Sequence, residues 1–499
     1  MNTPKTTAEW RALAAASRPD VRPLIDGARV APSTDATFDV IDPHSGERVA
    51  AVPACDQAAV DKAVAAARRA FMAGTWAARA PRQRCQVLRR LSTLLLQHGD
   101  ELALLDARQM GAPIGGMVCS VEGYDEIASE CAEQADKLQD LAIRSAPTAL
   151  ALNLRLPHGV VGAISPWNAP AHTALMKVVP ALAMGNSVVL KPSELAPLAC
   201  MRIADIALEA GVPAGVFNVV PGLGPQAGKA LALHHDVDFL TFTGSTATGQ
   251  LLMQYAGQSN LKGLMLECGG KSPQLVFDDL GDIDALAEAL VQGFAMNSGQ
   301  VCSAGSRILV ADGLYERLLP LLVQKVQATC IGDPLDPATQ MGPLASAGQH
   351  ARVLRLLGEA RSSDVLVAQG QIASTSANAF ATRLYTSSDA ASPLVQEEIF
   401  GPVASVMRFS DEAHALALAN DTRYGLVATV WSRDFDQARR VAAAVRAGIV
   451  VTNAVVKPAP AHSYFMTGEP VRMSGFGAGA GPAGLLAYTR WRCQLHHLA

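Results

Sequence analysis

The sequence predicts an α/β protein: a doubly wound parallel sheet, a second α/β region and a small β arm outside both. Three observations carry that reading. Beyond Leu156, short β-rich runs alternate with helical stretches; the runs are apolar throughout, as strands covered by helices on both faces must be; and glycine-punctuated loops fall where those runs end. Sheets of this kind bind ligands at the carboxyl ends of their strands, so those loops are where chemistry is expected.

Taken in order, the opening third reads as a short β region followed by helices. Val60, Val64, Ala67 and Phe71 recur at helical spacing, with Asp56 placed as a cap. A second helix is predicted from Arg84 to Gln97 and a third from Asp100 to Met110, ended by Gly111 and Pro113. The segment Ala149 to Leu156 alternates like a strand yet belongs to neither neighbouring unit, which suggests an arm that pairs elsewhere. The expected strands of the first sheet are Val160 to Ile164, Ser187 to Leu190, Val216 to Val220, Phe239 to Thr243 and Gln274 to Phe277. A second region begins near Lys271. Its first helix shows Ile283, Leu286, Leu290 and Phe294 on one face, and its strands are expected at Ala404 to Phe409, Val427 to Trp431 and Gly448 to Val451.

Composition narrows the function. The chain has 499 residues, 49% apolar and 17% charged, with a formal charge of −4, which fits a multi-domain globular protein. No long basic run offers a nucleic acid its counterion-displacing surface. The uncharged stretches are interrupted by proline or glycine, so no membrane span is expected, and Leu13 to Ala16 is too short for a signal-peptide core. Nine cysteines without regular spacing argue against a disulfide framework or a metal cluster, and favour reduced thiols in the cytoplasm.

Three segments carry reactive groups. Cys302 lies just past a helix in a glycine-punctuated turn, where a thiolate and its backbone N–H can face a carbonyl. Glu267 ends an apolar strand before Gly269 and Gly270; with its pKa raised by desolvation, such a carboxylate can activate water to hydrolyse a thioester. Asn168, in Pro166-Trp167-Asn168-Ala169-Pro170, precedes a helix that Pro170 can begin, and its amide can donate to a developing oxyanion. Two further segments read as dinucleotide recognition. Lys191 and Glu194, in Lys191-Pro192-Ser193-Glu194, suit ribose hydroxyls, and Glu194 would repel a 2′-phosphate, which favours NAD over NADP. Gly244 to Gly249 opens a helix whose N–H groups can receive a pyrophosphate, although the glycine spacing departs from the usual fingerprint. Each segment also has a purely structural reading: a buried small cysteine, a strand-end carboxylate, a turn asparagine, a glycine turn, a helix cap.

Their joint occurrence in this order resembles the aldehyde dehydrogenase superfamily, in its hydrolytic NAD(P)-dependent branch. The resemblance runs from Ile25-Asp26-Gly27 and Ile41-Asp42-Pro43, through Trp76, Glu397-Glu398-Ile399-Phe400-Gly401-Pro402 and Asn420-Asp421, to Leu485-Leu486-Ala487-Tyr488. It implies oxidation of a small-molecule aldehyde to the acid, with Cys302 as nucleophile, Glu267 as base, Asn168 as oxyanion donor and Lys177 assisting proton relay. It also implies that Ser165, Trp167, Lys191, Ser193, Glu194, Gly224, Gly244, Ser245 and Gly249 line the adenosine and pyrophosphate site, with Glu398 and Phe400 at the nicotinamide ribose and ring. The domains expected are a Rossmann-like NAD-binding domain over 1–134 and 158–269, a catalytic domain over 270–469, and a bridging β element over 135–157 and 470–499 that builds a homodimer or homotetramer. No metal is implied.

Two features qualify the resemblance. Ser474-Gly475-Phe476-Gly477-Ala478-Gly479-Ala480 stands where a Gly-Arg-Glu run is usual, and the span from Asn453 to Ser474 is a few residues longer than usual. The resemblance also implies that the positions after Asn168 face the substrate tunnel; here they are Ala169, His172, Thr173 and Met176, which argues against an aromatic cage for a quaternary ammonium and for a channel admitting an aromatic or longer aliphatic aldehyde. A rival reaction, acyl transfer to coenzyme A, needs no water base, and Glu267 argues against it. A catalytically silent member is the alternative of another class.

Overall fold

The computed structural model describes residues 5–143, 146–454, 467–479 and 481–497. Its first sheet has eight strands in the order Ala28–Arg29, Leu24–Ile25, Phe217–Val219, Ser187–Lys191, Val160–Ile164, Phe239–Thr243, Gly263–Glu267 and Gly475–Phe476. The five central strands are parallel, and the chain starts at Val160–Ile164, builds outward on one side, then returns to add Phe239–Thr243 on the other. The order therefore reverses between Val160–Ile164 and Phe239–Thr243, and the crevice beyond their carboxyl ends is the switch point at which such sheets bind ligands. The strand Val160–Ile164 is buried at every position, with a core on each face of the sheet.

The local signals explain the flanking helices. Gln57–Met72 is capped by the Asp56 carboxylate, which accepts from the Ala59 N–H at 3.0 Å. The helix expected from Arg84 starts earlier, at Pro81, because Pro81 occupies a first-turn position where no N–H is needed. Gly99–Met110 ends on Gly111 at φ 77°, the left-handed conformation that favours glycine. The N-terminal helix Thr7–Ala16 was not anticipated, although Thr6 and Glu9 form a capping box.

The second sheet has seven strands in the order Asp364–Gln369, Arg383–Ser387, Val403–Phe409, Arg307–Ala311, Pro273–Val276, Val427–Trp431 and Ile449–Thr452, parallel except for the first. The run Gln274 to Phe277, grouped with the first sheet's strands although it follows the boundary expected near Lys271, lies at the centre of this one. The arm Ala149–Pro157 pairs with Thr489–His497 and Leu141–Ile143 in an antiparallel three-stranded sheet.

The C-terminal span 470–499, expected as one bridging unit, is divided. Gly475–Phe476 pairs with Leu266 and Glu267 in the first sheet, Leu485 and Tyr488 enter its core, and only Thr489–His497 joins the small sheet. The physical reason is that Leu485 and Tyr488 are apolar surface with a core to fill, while residues 475 and 477 are glycines free to run close along an existing strand. Residues 455–466 of the long span and Ala480 lie outside the described residues. Among the described residues no helix is long and apolar enough to cross a membrane, and no group of three or more His, Cys, Asp or Glu is placed to hold a metal ion.

Candidate active site

Cys302 follows the helix Ile283–Ala295 through a tight turn in which Asn297 and Ser298 adopt φ of 50° and 55°. Side chains rarely take that conformation, and such strain persists only where surrounding contacts impose it. Three such contacts are visible. The Ser298 hydroxyl donates to the Gly342 carbonyl at 2.6 Å; the Asn297 amide donates to the Asn168 carbonyl at 3.0 Å; and a Cβ on Gly299 would lie 2.1 Å from the Gly401 carbonyl oxygen. The turn leaves Cys302 half-buried, less open than the sequence suggested. Burial first, then the charges of Glu267 and Glu398, push its thiol up to about 12, so the resting sulfur is protonated.

Asn168 sits in the loop between the strand Val160–Ile164 and the helix Pro170–Ala183, with Pro170 at the first helical position as expected. Its Nδ2 donates to the Gln300 carbonyl at 2.9 Å, two residues from Cys302. The amide carries two N–H groups, so one remains to be aimed elsewhere. The loop has a support that sequence reading missed: the buried Asp106 carboxylate accepts from the Tyr124 hydroxyl at 3.0 Å and the Gln109 amide at 2.9 Å, and takes a backbone hydrogen bond from Ala171 at the start of the same helix. Further along, buried Lys177 donates from Nζ to the Thr241 hydroxyl at 3.2 Å.

Glu267 ends the strand Gly263–Glu267 and is linked to Cys302 through the glycines after it: a Cβ on Gly270 would lie 2.6 Å from the Cys302 carbonyl oxygen. Burial raises the Glu267 carboxyl to about 7, and the charge of Lys177 opposes that rise. The same burial lowers the Lys177 ammonium, against the pull of Glu267. The two charges act on each other without a direct ion pair between them. The strand is fastened by the C-terminal segment, since the Ser474 hydroxyl donates to the Gly269 carbonyl at 2.7 Å and accepts from the Gly425 N–H at 2.9 Å. Gly479, where the Gly-Arg-Glu run is interrupted, lies against the base: a Cβ there would stand 2.8 Å from Glu267 Oε1.

Glu398 folds over the same glycines. Its Oε1 accepts from the Gly270 N–H at 3.0 Å, and burial raises its carboxyl to about 7. Phe400, at φ 58°, meets Trp167 edge to face with ring centroids 5.4 Å apart. This turn is held by Gln349, which donates to the Phe400 carbonyl at 2.6 Å, and by Arg352, which donates to the Glu398 carbonyl at 3.0 Å. Nothing in the sequence marked Gln349 or Arg352, because they act on backbone about fifty residues away in a chain-distant turn.

The remaining expected residues lie at or beyond the carboxyl ends of the first sheet's strands. Ser165 directly follows the strand Val160–Ile164, and its N–H donates to the Lys191 carbonyl at 3.2 Å. Lys191 Nζ pairs with Glu194 at 2.9 Å at the end of the strand Ser187–Lys191, beside Ser193, whose hydroxyl accepts from the Leu195 N–H. Gly244 and Ser245 follow the strand Phe239–Thr243; Ser245 caps the helix Thr246–Gln258 by accepting from the Thr248 N–H at 3.2 Å. Gly249 lets that helix approach the sheet, since a Cβ would lie 2.8 Å from Cys268 Sγ. Gly224 opens a short helical turn, and a Cβ there would meet nothing within 4 Å. Two strand ends of the first sheet, a capped helix start and an ammonium-carboxylate pair thus lie at the carboxyl end of the sheet, a donor set that suits a dinucleotide.

Comparison with known proteins agrees. The profile of the Aldehyde dehydrogenase family matches residues 30–493. The chain is 40% identical over 447 residues to the NADP/NAD-dependent aldehyde dehydrogenase PuuC of Escherichia coli (strain K12), covering 89% of this chain and 90% of that one. It is 42% identical over 451 residues to an aminoacetaldehyde dehydrogenase of Pseudomonas aeruginosa, with the same coverage of 89% and 90%. Among solved structures, the aldehyde dehydrogenase KauB from Pseudomonas aeruginosa superposes with a TM-score of 0.96 at 40% identity, covering 99% of this chain and 100% of that one. The P. syringae AldA indole-3-acetaldehyde dehydrogenase, in complex with NAD+ and IAA, gives the same TM-score of 0.96, identity of 40% and coverage of 99% and 100%. On this evidence the chain belongs to the aldehyde dehydrogenase family and is an NAD(P)-dependent oxidoreductase that converts an aldehyde to its carboxylic acid.

Proposed function

We propose that Cys302 is the nucleophile, Asn168 the oxyanion donor and Glu267 the base that hydrolyses the resulting thioester, with Lys177 sharing the Glu267 proton. The observation that carries this is the convergence of three chain-distant segments: Asn168 is bonded to the Cys302 turn through Gln300 and Asn297, and Glu267 leads into the glycine packed on the Cys302 carbonyl. Cys302 sulfur adds to the aldehyde carbon as its proton passes to solvent water, with Glu267 and Glu398 the carboxylates whose charges act on the thiol. The oxyanion of the hemithioacetal accepts from the second Asn168 N–H and from the Cys302 backbone. The chemistry a bound nicotinamide supplies is acceptance of one hydride, which leaves a thioester on Cys302. Glu267 takes a proton from water as that water attacks the thioester, the C–S bond breaks to release the acid, and the proton passes from Glu267 to the Cys302 sulfur, restoring both.

Lys191, Ser193 and Glu194 hold the adenosine ribose; Ser165, Trp167, Gly224, Gly244, Ser245 and Gly249 frame the adenosine and pyrophosphate; Glu398 and Phe400 position the nicotinamide end. Glu194 disfavours a 2′-phosphate and so selects NAD over NADP. The first sheet and its helices form the cofactor domain, the second sheet the catalytic domain. The three-stranded sheet, with Trp491 46% and Leu495 58% exposed, is the contact that builds dimers or tetramers in a reducing cytoplasm. The test is Cys302→Ala with an aldehyde and NAD: NADH formation is lost, whereas retained turnover refutes the assignment.

A further inference from the structure

The loops assigned to the oxyanion and to the adenosine ribose each run into a helix that has no side-chain cap of its own. Pro170–Ala183 follows the Asn168 loop and begins after Ala169, and Leu198–Ala210 follows the segment Lys191 to Glu194 and begins after Pro197. Neither Ala169 nor Pro197 has a side chain that accepts a first-turn N–H. A buried helix start then needs its acceptors from elsewhere in the chain.

A third helix supplies them. Asp106 and Gln109 stand three residues apart on Gly99–Met110, the spacing that brings two side chains to one face, and they are 0% and 1% exposed. The Asp106 carboxylate accepts from the backbone N–H of Ala171, in the first turn of one helix. The Gln109 side-chain oxygen accepts from the N–H of Leu198, the first residue of the other, at 2.8 Å. The two side chains are also bonded to each other, Gln109 Nε2 donating to Asp106 Oδ1 at 2.9 Å, while the Tyr124 hydroxyl donates to Asp106 Oδ2 at 3.0 Å. A direct link joins the two first turns, since the Cys200 thiol donates to the Pro170 carbonyl at 3.3 Å. A carboxylate at a helix start also meets the positive end of the helix dipole.

We propose that Asp106 and Gln109 act as one positioning unit for both ends of the site: Asp106 sets the aim of Asn168, Gln109 sets the placement of the Lys191 to Glu194 loop, and the bond between them couples the two. The inference rests on the assignment of Asn168 to the oxyanion and of Lys191 and Glu194 to the ribose. At their burial neither side chain touches a ligand, so each acts through the helix start it holds. Loss of Asp106 leaves the Asn168 amide bonded to the Gln300 carbonyl, which keeps the donor in the site while freeing the turn that follows it.

The test uses Glu267→Gln enzyme with NAD and butanal, where the NADH burst reports acylation alone. Its amplitude counts folded, competent sites; its rate constant at saturation reports the aim of Asn168; and the NAD concentration giving half that rate reports the ribose loop. Asp106→Asn puts one acceptor oxygen where three donors converge, and should slow the burst about tenfold to a hundredfold, the cost of displacing a catalytic group by about 1 Å. Gln109→Met keeps the bulk and removes both polar atoms, and should raise the half-saturating NAD concentration by about tenfold, the size of one lost hydrogen bond. Each substitution should also move the other readout by less, and the double variant should be damaged less than the product of the two. A merely structural role would lower the amplitude and leave both constants of the remaining sites unchanged. Unchanged constants in both variants, or effects that simply multiply in the double variant, would overturn the proposal. If Asp106→Asn gives no burst, Tyr124→Phe carries the test: it removes one donor to the carboxylate, leaves both links to the helix starts in place, and should slow the burst severalfold, an unchanged rate constant overturning the proposal. Absence of a burst in Glu267→Gln itself would overturn the catalytic reading instead.

Discussion

Replacing Glu267 with glutamine separates the two halves of the proposed reaction. The substitution keeps the side chain's shape beside Lys177 and removes the proton acceptor. Burial raises the Glu267 carboxyl to about 7, so near neutral pH it divides between an ionised form able to accept a proton and a neutral form that is not. A positioned general base contributes about 10²–10⁴ in rate, or roughly 2.7–5.4 kcal/mol of barrier at about 1.36 kcal/mol per decade. That loss falls on hydrolysis of the thioester. Acylation keeps the Asn168 contacts to Gln300 and Asn297, none of which involves Glu267. Stopped-flow NADH absorbance should therefore show a burst approaching one equivalent per active site, followed by turnover about 10²–10⁴ times slower than wild type. In the wild type, where deacylation limits the rate, turnover should climb as pH passes upward through about 7, because the base works only after losing its proton. The variant should lack that limb. Wild-type turnover in Glu267→Gln, or loss of the burst with Cys302 intact, would refute the reasoning.

Three other outcomes follow from the same geometry. Cys302→Ala should abolish NADH formation while NAD binding, followed by protein fluorescence, persists, since none of the cofactor contacts proposed above depends on the sulfur. Glu194→Gln should shift the ratio of kcat/KM for NADP to that for NAD upward by about tenfold, because a charge beside a 2′-phosphate is removed while Lys191 stays. Gly479→Ala should preserve the burst and slow steady-state turnover on the order of 10-fold to 100-fold, the cost of displacing a catalytic group by about 1 Å, because its methyl would stand 2.8 Å from Glu267 Oε1. A uniform loss of burst and turnover in that variant would point to general misfolding instead.

Much of the fold is legible because its signals are local. Asp56, Pro170 and Gly111 each act within a turn of the backbone they control, and the apolar runs Val160 to Ile164, Phe239 to Thr243 and Val427 to Trp431 appear as strands with the expected bounds. The arm Ala149 to Leu156 was recognisable as a strand without a neighbour, and its partner proved to be the far C-terminus. What stayed hidden depends on distant packing. Gln274 to Phe277 is as apolar as the strands before it, so composition grouped it with them although it lies past Lys271, where the second region was expected to begin. The half-burial of Cys302 depends on Gly401 pressing against Gly299, and the rigidity of the Asn168 loop on Asp106 and Tyr124. Glu9 three residues after Thr6 was a readable signal that the N-terminal helix supplied and the apolar pattern obscured.

The sharpest test of the account is to trap the covalent intermediate. Glu267→Gln enzyme mixed with NAD and butanal, quenched in acid during the burst, then digested and weighed by mass spectrometry, should carry a butanoyl group on the peptide containing Cys302 in proportion to the NADH formed. A burst of NADH with that peptide unmodified, or with the acyl group on another of the nine cysteines, would contradict it.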